Sequence, residues 1–330
     1  MRTIVSVSIG SSARDHEVEA VLLGESFRIR RVGTDGDMRK ARDILAALDG
    51  TVDAIGLGGL DVYLYSRDQR YTLRDGQRLM DCVKTTPVVD GSGLKNTLER
   101  ETIRYLLQDG RIPLKERKVL MVCAMDRFGM AEALEEAGAR VVYGDLIFTL
   151  GVDKPLKSLD ELADHANRLL PEVARMPISM IYPVGRSQSR IEPNELTHPY
   201  YEEAEILAGD FHFIRRRMPD SLPGKVVLTN TVTTQDLEEL RRRGVTWLIT
   251  TTPEFQGRSF GTNVLEAVLL TILGKRWEEV RPEEYLDLIH RLDLKPRIVE
   301  LNPAAEPSAA PPNDERPSGV RDTHLEETHG

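Results

Sequence analysis

The chain has 330 residues, a formal net charge of −9 and a sequence pI of about 5.4. This acidic balance argues against a general nucleic-acid-binding surface, which would need clustered positive charge, and no apolar run approaches the length of a membrane span. Two cysteines, Cys82 and Cys123, are too few for a disulfide framework or a four-thiolate metal site. The N-terminus lacks a signal-peptide pattern. We expect a cytoplasmic protein that binds neither nucleic acids nor membranes and holds no metal.

Strands and helices alternate in the first part of the chain. The predicted elements are strands at 3–9, 27–32 and 52–57, a helix at 38–48, a hairpin at 62–66 and 70–73, and a helix at 77–83. Asp37 is placed to cap the 38–48 helix, and the segment 17–23 fits a helix or a strand. This alternation predicts an α/β unit with a mostly parallel sheet.

The alternation continues beyond a long predicted helix at 94–109. The predicted elements are strands at 119–124, 140–143, 178–184, 226–229 and 246–251, and helices at 131–137, 159–170, 202–208, 235–243, 264–273 and 282–292. This order is typical of a doubly wound sheet. From about Asn302 the sequence turns to Pro, Ala, Ser and acidic residues, which predicts a disordered tail.

The stretch from Lys118 to Asp145 has the form of a β-α-β unit that binds a nucleotide. Asp145 lies about 20 residues beyond the loop after the first strand, where dinucleotide sites place an acid against the ribose. In that position it would favour NAD over NADP, because a 2′-phosphate would meet its charge. The alternative is a turn residue after a strand. The loop, CAMDRFG at 123–129, has one glycine where the dinucleotide fingerprint has three.

The predicted cofactor site uses this loop and one further strand end. Met125, Asp126, Arg127 and Gly129 would lie at the pyrophosphate, where Arg127 would attract the phosphates and Asp126 would repel them. Thr251, at the end of the predicted strand 246–251, is assigned to the same site.

Three sequence stretches resemble the shikimate/quinate 5-dehydrogenase family. Residues 88–94, VVDGSGL, align with that family's Asn-Thr-Asp-Gly-x-Gly-Phe motif, with the aspartate and both glycines in register. The bridging helix and the β-α-β unit follow in the same order. Residues 12–16, SARDH, are similar to the family's Ser-Pro-x-x-His loop, and residues 261–265, GTNVL, are similar to its Gly-x-x-Met-Leu.

The resemblance implies a domain layout and an activity. Residues 1–97 would form an N-terminal α/β substrate domain and 98–275 a Rossmann-like doubly wound nucleotide-binding domain, followed by a helical segment at 276–301 and the tail at 302–330. The implied reaction is NAD(P)-dependent oxidation of a hydroxyl on a cyclic polyhydroxy acid of the quinate or shikimate type. The small-molecule substrate would bind between the two domains. The oligomeric state stays open, with a homodimer as one alternative.

The predicted catalytic pair follows from the same resemblance. A lysine and an aspartate would take the hydroxyl proton, and Asp90 is the matching aspartate. The family's Asn-x-Thr-x-Pro-x-Lys motif is not reproduced, and the nearest lysine before Asp90 is Lys84, while Lys95 comes after it. The alternatives are a turn aspartate that caps the 94–109 helix and a solvated lysine at a helix end.

Polar loops after the first strands are the predicted substrate site. Ser11, Ser12 and Arg14 suit a hydroxylated carboxylate, because hydroxyls can contact the ring and a guanidinium the acid. Ordinary loop residues are the alternative. Two rival functions stay open: a non-catalytic small-molecule-binding relative of the family, and an α/β enzyme that uses a different cofactor and binds an acidic group through Arg258.

Overall fold

The computed structural model describes residues 1–182, 185, 188, 190–255 and 258–303, so the predicted tail beyond 303 lies outside the described residues. The first part of the chain forms β1 (Arg2–Ser8), β2 (His16–Leu22), β3 (Glu25–Gly33), α1 (Met38–Leu48), β4 (Ala54–Gly58), β5 (Tyr63–Ser66), β6 (Gln69–Thr72), α2 (Arg74–Met80) and β7 (Val88–Val89). The long bridging helix is α3 (Ser92–Asp109).

The second part begins with β8 (Lys118–Met121), α4 (Phe128–Glu136), β9 (Arg140–Tyr143), α5 (Asp145–Leu150), α6 (Leu159–Val173), α7 (Ile178–Ile181), α8 (His198–Glu203), β10 (Ile206–Ala208) and α9 (Phe211–Arg217). It continues with β11 (Val226–Thr229), α10 (Thr234–Arg242), β12 (Trp247–Thr250), β13 (Glu254–Phe255), β14 (Arg258–Ser259), α11 (Thr262–Leu273), α12 (Pro282–Arg291) and β15 (Arg297–Glu300). Among the described residues, no helix is both long and apolar enough to cross a bilayer.

Two mainly parallel sheets confirm the predicted α/β class. The first sheet has the order β2-β3-β1-β4-β7, and β2 is antiparallel to its neighbour while the other pairs are parallel. The second has the order β15-β12-β11-β10-β8-β9, and here β15 is the antiparallel strand. In the second sheet β8 lies between β9 and β10, so the strand order reverses there. In such sheets ligands bind at the carboxyl ends of the strands beside the reversal.

Strong local signals explain the elements that match the sequence predictions. The carboxylate of Asp37 accepts hydrogen bonds from the N–H groups of Arg39 and Lys40, and α1 spans the predicted 38–48. The segment 17–23, which fitted either element, is strand β2. Its alternating exposure, with one face toward solvent, is that of a half-buried edge strand.

Two predictions for the second part were wrong. The 178–184 strand is instead a short helix at Ile178–Ile181, with 183 and 184 outside the described residues; the carboxylate of Asp75, far away in sequence, accepts the N–H of Ile178 at its start. The 202–208 helix is instead the end of α8 followed by β10, a three-residue strand that pairs with both β8 and β11. Pairing on both sides overrides the weak β-propensity of Leu207 and Ala208.

The C-terminal elements return to both sheets. Helix α11, which the sequence placed with the second domain, packs its apolar residues Val264, Ala267 and Val268 against Ile4 and Phe27 of the first sheet. Helix α12 packs on α3, and β15 adds an antiparallel edge to the second sheet, where the sequence predicted only a helical segment. The chain therefore returns to each sheet after it has left it.

The turn between β7 and α3 fixes where α11 begins. Gly91 has φ +95°, and a Cβ at this position would lie 2.6 Å from the backbone nitrogen of Asn263. Gly110, at the other end of α3, also has a positive φ of +71°, but a Cβ there would meet no atom within 4 Å.

We predict that Gly91→Ala destabilises the protein much more than Gly110→Ala. Each substitution places a side chain in a left-handed conformation, at a cost of about 1–2 kcal/mol. Only Gly91→Ala also forces the α3 turn away from α11. Denaturant unfolding of both variants measures the difference. Equal losses would show that the close approach of α11 to the turn is unimportant for stability.

Candidate functional site

A polar cleft of about 860 Å³ lies where the carboxyl ends of the two sheets face each other. The first sheet contributes Ser8 at the end of β1 and the loops after β1 and β4, including Ser11 and Asp61. The second contributes the start of α9 after β10, with His212, and the loop after β11, with Asn230. The cleft thus occupies the position that the topology of open α/β sheets assigns to ligands.

A buried lysine–carboxylate pair lies in the wall of this cleft. Lys95, in the first turn of α3, donates from Nζ to Oδ1 of Asp61 (2.8 Å) and to the backbone oxygen of Asp126 (3.1 Å). Its side chain is 9% exposed and that of Asp61 is 16% exposed. The pair brings together a residue from the bridging helix and one from the first sheet.

The electrostatics of the pair suit proton transfer. Burial opposes the charge of Lys95, but Asp61 and the further buried carboxylates around the ammonium together outweigh burial and hold the pKa of Lys95 above its usual value. Burial raises the pKa of Asp61 in spite of the neighbouring ammonium. A charged lysine can stabilise an alkoxide, and a carboxylate with a raised pKa is a stronger proton acceptor.

Arg127 joins the bridging helix to the second sheet beside this pair. Its guanidinium contacts the carboxylates of Glu99 on α3 and Asp210 after β10, the latter at 3.0 Å. The side chains of Arg127 and Glu99 are 2% and 1% exposed. Burial tends to raise the pKa of Asp210, but His212 and Arg127 outweigh it and lower the pKa to about 2. Asp210 is therefore ionised and paired.

The predicted catalytic pair is not the pair that the structure forms. The Asp90 carboxylate accepts hydrogen bonds from the backbone N–H groups of Val62, Tyr63 and Ser92, at 2.6, 3.1 and 2.9 Å. It lines the cleft, yet its contacts tie the β5 strand and the α3 turn together, as the turn interpretation expects. Lys84 is exposed, does not line the cleft, and donates its backbone N–H to Asp49.

Lys95 is the lysine that sequence reasoning missed. It follows Asp90 in the chain, whereas the family's lysine precedes its aspartate, but side chains in the first turn of a helix tilt toward the helix N-terminus. From the start of α3 that direction leads back to the carboxyl edge of the first sheet, where Asp61 ends the sequence Gly-Leu-Gly-Gly-Leu-Asp. This directional rule is the signal that could have identified the pair.

The predicted substrate loop is only partly in the cleft. Ser11 and Arg14 line it, whereas Ser12 does not: its hydroxyl and its N–H both donate to Asp35. The cleft wall here also contains Arg31, which donates to the Ser8 hydroxyl (3.0 Å) and the Ser11 carbonyl (2.9 Å). Hydroxyls and guanidinium groups therefore do meet at this edge.

The residues at the predicted cofactor site do not fit a dinucleotide. The Asp145 carboxylate, 1% exposed, accepts the N–H groups of Ala124 and Met125, both at 2.9 Å. These are amides that would face a pyrophosphate in a dinucleotide site, and the acid predicted to face the ribose is buried against them. Burial also raises the pKa of Asp145 to about 6. The prediction that Asp145 selects NAD is therefore not supported.

The other predicted cofactor residues are likewise engaged or distant. A side chain at Gly129 would collide with Asn96, so α3 packs directly on the start of α4. Asp126 is buried beside Arg127, and Met125 packs into two hydrophobic cores. Thr251 is buried, donates its N–H to the Thr229 carbonyl and does not line the cleft. The Arg258 side chain lies outside the described part of the chain.

The second wall of the cleft was not anticipated from the sequence. His212 and Arg215 on α9 line it together with Asn230 and the capped start of α10 at Thr233. Because β10 was predicted as helix, the Gly-Asp-Phe-His sequence that follows it was not recognised as a strand-end loop. No group of three or more His, Cys, Asp or Glu residues within the described ranges is arranged to hold a metal ion.

One buried carboxylate lies beneath the α3 turn. Glu266, on α11, is 1% exposed, and its Oε1 accepts the hydroxyl proton of Tyr285 (2.8 Å). Burial and the charge of Asp90 raise the pKa of Glu266 to about 8. The folded protein therefore retains a proton here that the unfolded chain loses at a much lower pH.

The fold and the cleft define an α/β protein with two mainly parallel sheets that share a polar cleft. The chain belongs to the family described as domain of unknown function DUF8754, whose model matches residues 93–301. The model of a second domain of unknown function, DUF8753, matches residues 3–90. No curated protein matches the sequence.

Several solved structures share parts of the fold. The hetero-hexameric glutamate dehydrogenase of Thermus thermophilus has a TM-score of 0.40 and 13% identity, over 88% of this chain and 74% of that one. The NAD-dependent malic enzyme of Thermotoga maritima has a TM-score of 0.34 and 13% identity, over 88% and 84%. An ABC transporter solute-binding protein of Burkholderia multivorans has a TM-score of 0.35 and 12% identity, over 84% and 96%.

We predict that Arg127→Gln destabilises the protein by about 3–5 kcal/mol, because it leaves Glu99 and Asp210 as buried charges without their partner. The matched control is Arg117→Gln, which removes an arginine that pairs with Glu205 on the surface. Exposed pairs contribute about 1 kcal/mol or less. Denaturant unfolding compares the variants, and similar losses would contradict a structural role for the buried network.

We also predict that Glu266→Gln flattens the pH dependence of stability. The folded-state pKa of Glu266 is about 8 against an ordinary value of 4.5, so its favourable contribution is complete below about pH 4.5 and is lost as pH rises toward 8. Glutamine keeps an acceptor for Tyr285 and does not ionise.

The difference is measured by denaturant unfolding across this pH range. The free energy of unfolding of Glu266→Gln should equal that of the wild type near pH 4.5. Near pH 8 it should be higher than that of the wild type by at least about 1 kcal/mol. Glu283→Gln, at an exposed position on α12, is the control. A constant difference between Glu266→Gln and the wild type at every pH would refute this explanation.

Proposed function

We propose that the cleft binds a small hydroxylated carboxylic acid and that Lys95 and Asp61 move a proton at one of its hydroxyls. The observation that carries the proposal is the buried Lys95–Asp61 pair in the wall of an interdomain cleft. In the proposed reaction the Asp61 carboxylate accepts the hydroxyl proton. The Lys95 ammonium stabilises the alkoxide that forms, because its charge is maintained by its partner.

The composition of the cleft supports this class of ligand. Its walls present the hydroxyls of Ser8 and Ser11, the amides of Asn230 and Asn263, and the guanidinium of Arg14. Hydroxyls and amides exchange hydrogen bonds with a polyhydroxylated ring or chain, and a guanidinium matches a carboxylate. Quinate and shikimate are the acids that the sequence resemblance suggests as first ligands.

Oxidation of that hydroxyl with NAD or NADP is the second candidate function. The lysine–aspartate pair favours this function, because the resemblance implies a catalytic pair of these two residue types. The pair consists of Lys95 and Asp61 rather than Lys84 and Asp90. The backbone amides of Ala124 and Met125 in the loop after β8 are hydrogen-bonded to Asp145, so they do not face a dinucleotide. The residues of the cleft therefore account for the proton transfer but not for a hydride acceptor. A non-catalytic binding protein would use the same cleft without turnover.

We predict that quinate or shikimate raises the midpoint of thermal unfolding of the wild type, because a ligand that binds only the folded state stabilises it by mass action. Lys95→Gln should weaken the binding of that acid at least tenfold. Lys84→Gln is the matched control and should bind as the wild type does, because Lys84 is exposed and outside the cleft.

NAD and NADP are added alone and with each acid in the same experiment. A shift with either nucleotide, followed by formation of reduced nicotinamide that Asp61→Asn lowers by orders of magnitude, would establish the oxidation. Acid binding without a nucleotide shift would favour the binding protein or another chemistry. If no acid shifts the midpoint, the proposed ligand class is wrong.

A further inference from the structure

Side chains that can donate hydrogen bonds line one corner of the cleft and come from the sides of both sheets. We define this interdomain corner as Arg14, Arg31, Gln188 and His212, all of which line the cleft. Arg14 and Arg31 belong to the first sheet's side, His212 to α9 on the second, and Gln188 lies between them. The corner takes no part in the proton transfer proposed above.

Gln188 connects the two sides. Its backbone oxygen lies 3.3 Å from Nδ1 of His212. A Cβ at Gly10 would lie 2.9 Å from the Gln188 Oε1 and 3.2 Å from Nη2 of Arg31. The absence of a side chain at Gly10 therefore lets the Gln188 amide approach the Arg31 guanidinium. The Gln188 side chain is buried, and its Nε2 has no hydrogen-bond partner among the described residues. A buried amide nitrogen without a partner calls for an acceptor.

Arg14 supplies a positive charge that no carboxylate of the described residues pairs with. It is half-buried, and it forms no ion pair with any residue that the structure describes. The neighbouring carboxylates are committed elsewhere: Asp15 pairs with Arg31, and Asp35 accepts both donors of Ser12. A half-buried guanidinium facing a cleft without a carboxylate partner is suited to an external anion.

His212 completes the corner from the opposite wall. A carbonyl oxygen only accepts, so the contact with Gln188 places a proton on Nδ1 and leaves Nε2 of the neutral ring as an acceptor. Nε2 has no partner in the part of the chain that the structure describes. Burial lowers the pKa of His212; Asp210 opposes this shift, and the nearby charge of Arg14 adds to it.

The other charged groups that face the imidazole are already paired. Asp210 contacts Arg127 and Asn230, and Asp236 contacts Arg215 and caps α10. The positive charge of Arg14 acts directly on the ring. An anion placed between Arg14 and His212 would reverse that influence, because its negative charge stabilises the imidazolium.

We propose that the interdomain corner is an oxyanion site, which takes a carboxylate or phosphoryl group between Arg14, Gln188 and His212 and takes up a proton on His212 as the anion binds. The proposal rests on the proposed function in one respect, since it locates the acidic group of the cleft's ligand. With Nε2 protonated, the ring donates from both nitrogens, to Gln188 and to the anion. The anion then contacts both walls and links the two sheets.

Proton uptake sets the sign of the pH dependence. If binding raises the pKa of His212, affinity increases as pH falls through the range between the bound and free values, by up to about tenfold per pH unit for one proton. Arg14 acts at every pH, because a guanidinium stays charged. Substitution of Arg14 therefore lowers the anion affinity at every pH, whereas substitution of His212 removes the pH dependence of that affinity.

The test is calorimetric titration with inorganic phosphate, sulfate, quinate and shikimate between about pH 5.5 and 8.5. The ionic strength is held constant, on the order of the physiological value. For the wild type we expect at least one of these anions to bind more tightly at low pH, with net proton uptake measured in buffers of different ionisation enthalpy. Arg14→Gln should weaken that anion at least tenfold at every pH. For sulfate, quinate and shikimate, which do not ionise further in this pH range, His212→Asn should abolish the pH dependence and the proton uptake. For phosphate, which itself titrates in this range, His212→Asn should reduce the proton uptake relative to the wild type.

Arg39→Gln, at an exposed position on α1, is the matched control for Arg14→Gln and should bind as the wild type does. Unfolding midpoints without ligand show whether each variant is folded. Tight phosphate binding without quinate or shikimate binding would identify a phosphoryl ligand, which supports the corner and overturns the proposed substrate class. Tight quinate binding that is unchanged in Arg14→Gln and His212→Asn would overturn the corner alone. If no anion binds at any pH, the corner is wrong.

Discussion

The buried contact of Arg127 with Glu99 and Asp210 is the interaction on which the arrangement of the two sheets depends. Glu99 lies on α3, which leaves the first sheet, and Asp210 follows the central strand of the second. Both carboxylates are shielded from water, so their charges require the guanidinium. Once these three groups are in place, the first turn of α3 faces the cleft, and Lys95 meets Asp61. The Lys95–Asp61 ion pair thus depends on the contact of Arg127 with Glu99 and Asp210.

The carboxyl edge of the second sheet differs on the two sides of the strand-order reversal in how its polar groups are satisfied. Beside β8 the backbone amides of Ala124 and Met125 are satisfied by Asp145, and a glycine is packed against Asn96. Beside β10 and β11 the polar groups face open cleft. At the β8 end of this edge the protein has therefore satisfied internally the backbone donors that a pyrophosphate would use.

Local patterns predicted most of the fold, and long-range pairing explains what they missed. Helix α1 and its Asp37 cap, and the strands 140–143 and 226–229, carry their own signals within a few residues. Strand β10 has three residues and exists because two neighbours pair with it. Asp61 and Lys95 are 34 residues apart, and only the position of α3 brings them together. Motif spacing selected Asp90 at this edge, where its carboxylate accepts the backbone N–H groups of Val62, Tyr63 and Ser92.

The return of α11 to the first sheet has a consequence for how the chain can be divided. The two family models meet near residue 91, yet the helix at 262–273 covers Ile4, Phe27 and Val89. A fragment ending at residue 90 would present that apolar sheet face to water and would tend to aggregate. The two halves are therefore coupled in folding, and an exchange of one half for a homologous half requires a covering helix that still matches the sheet beneath it.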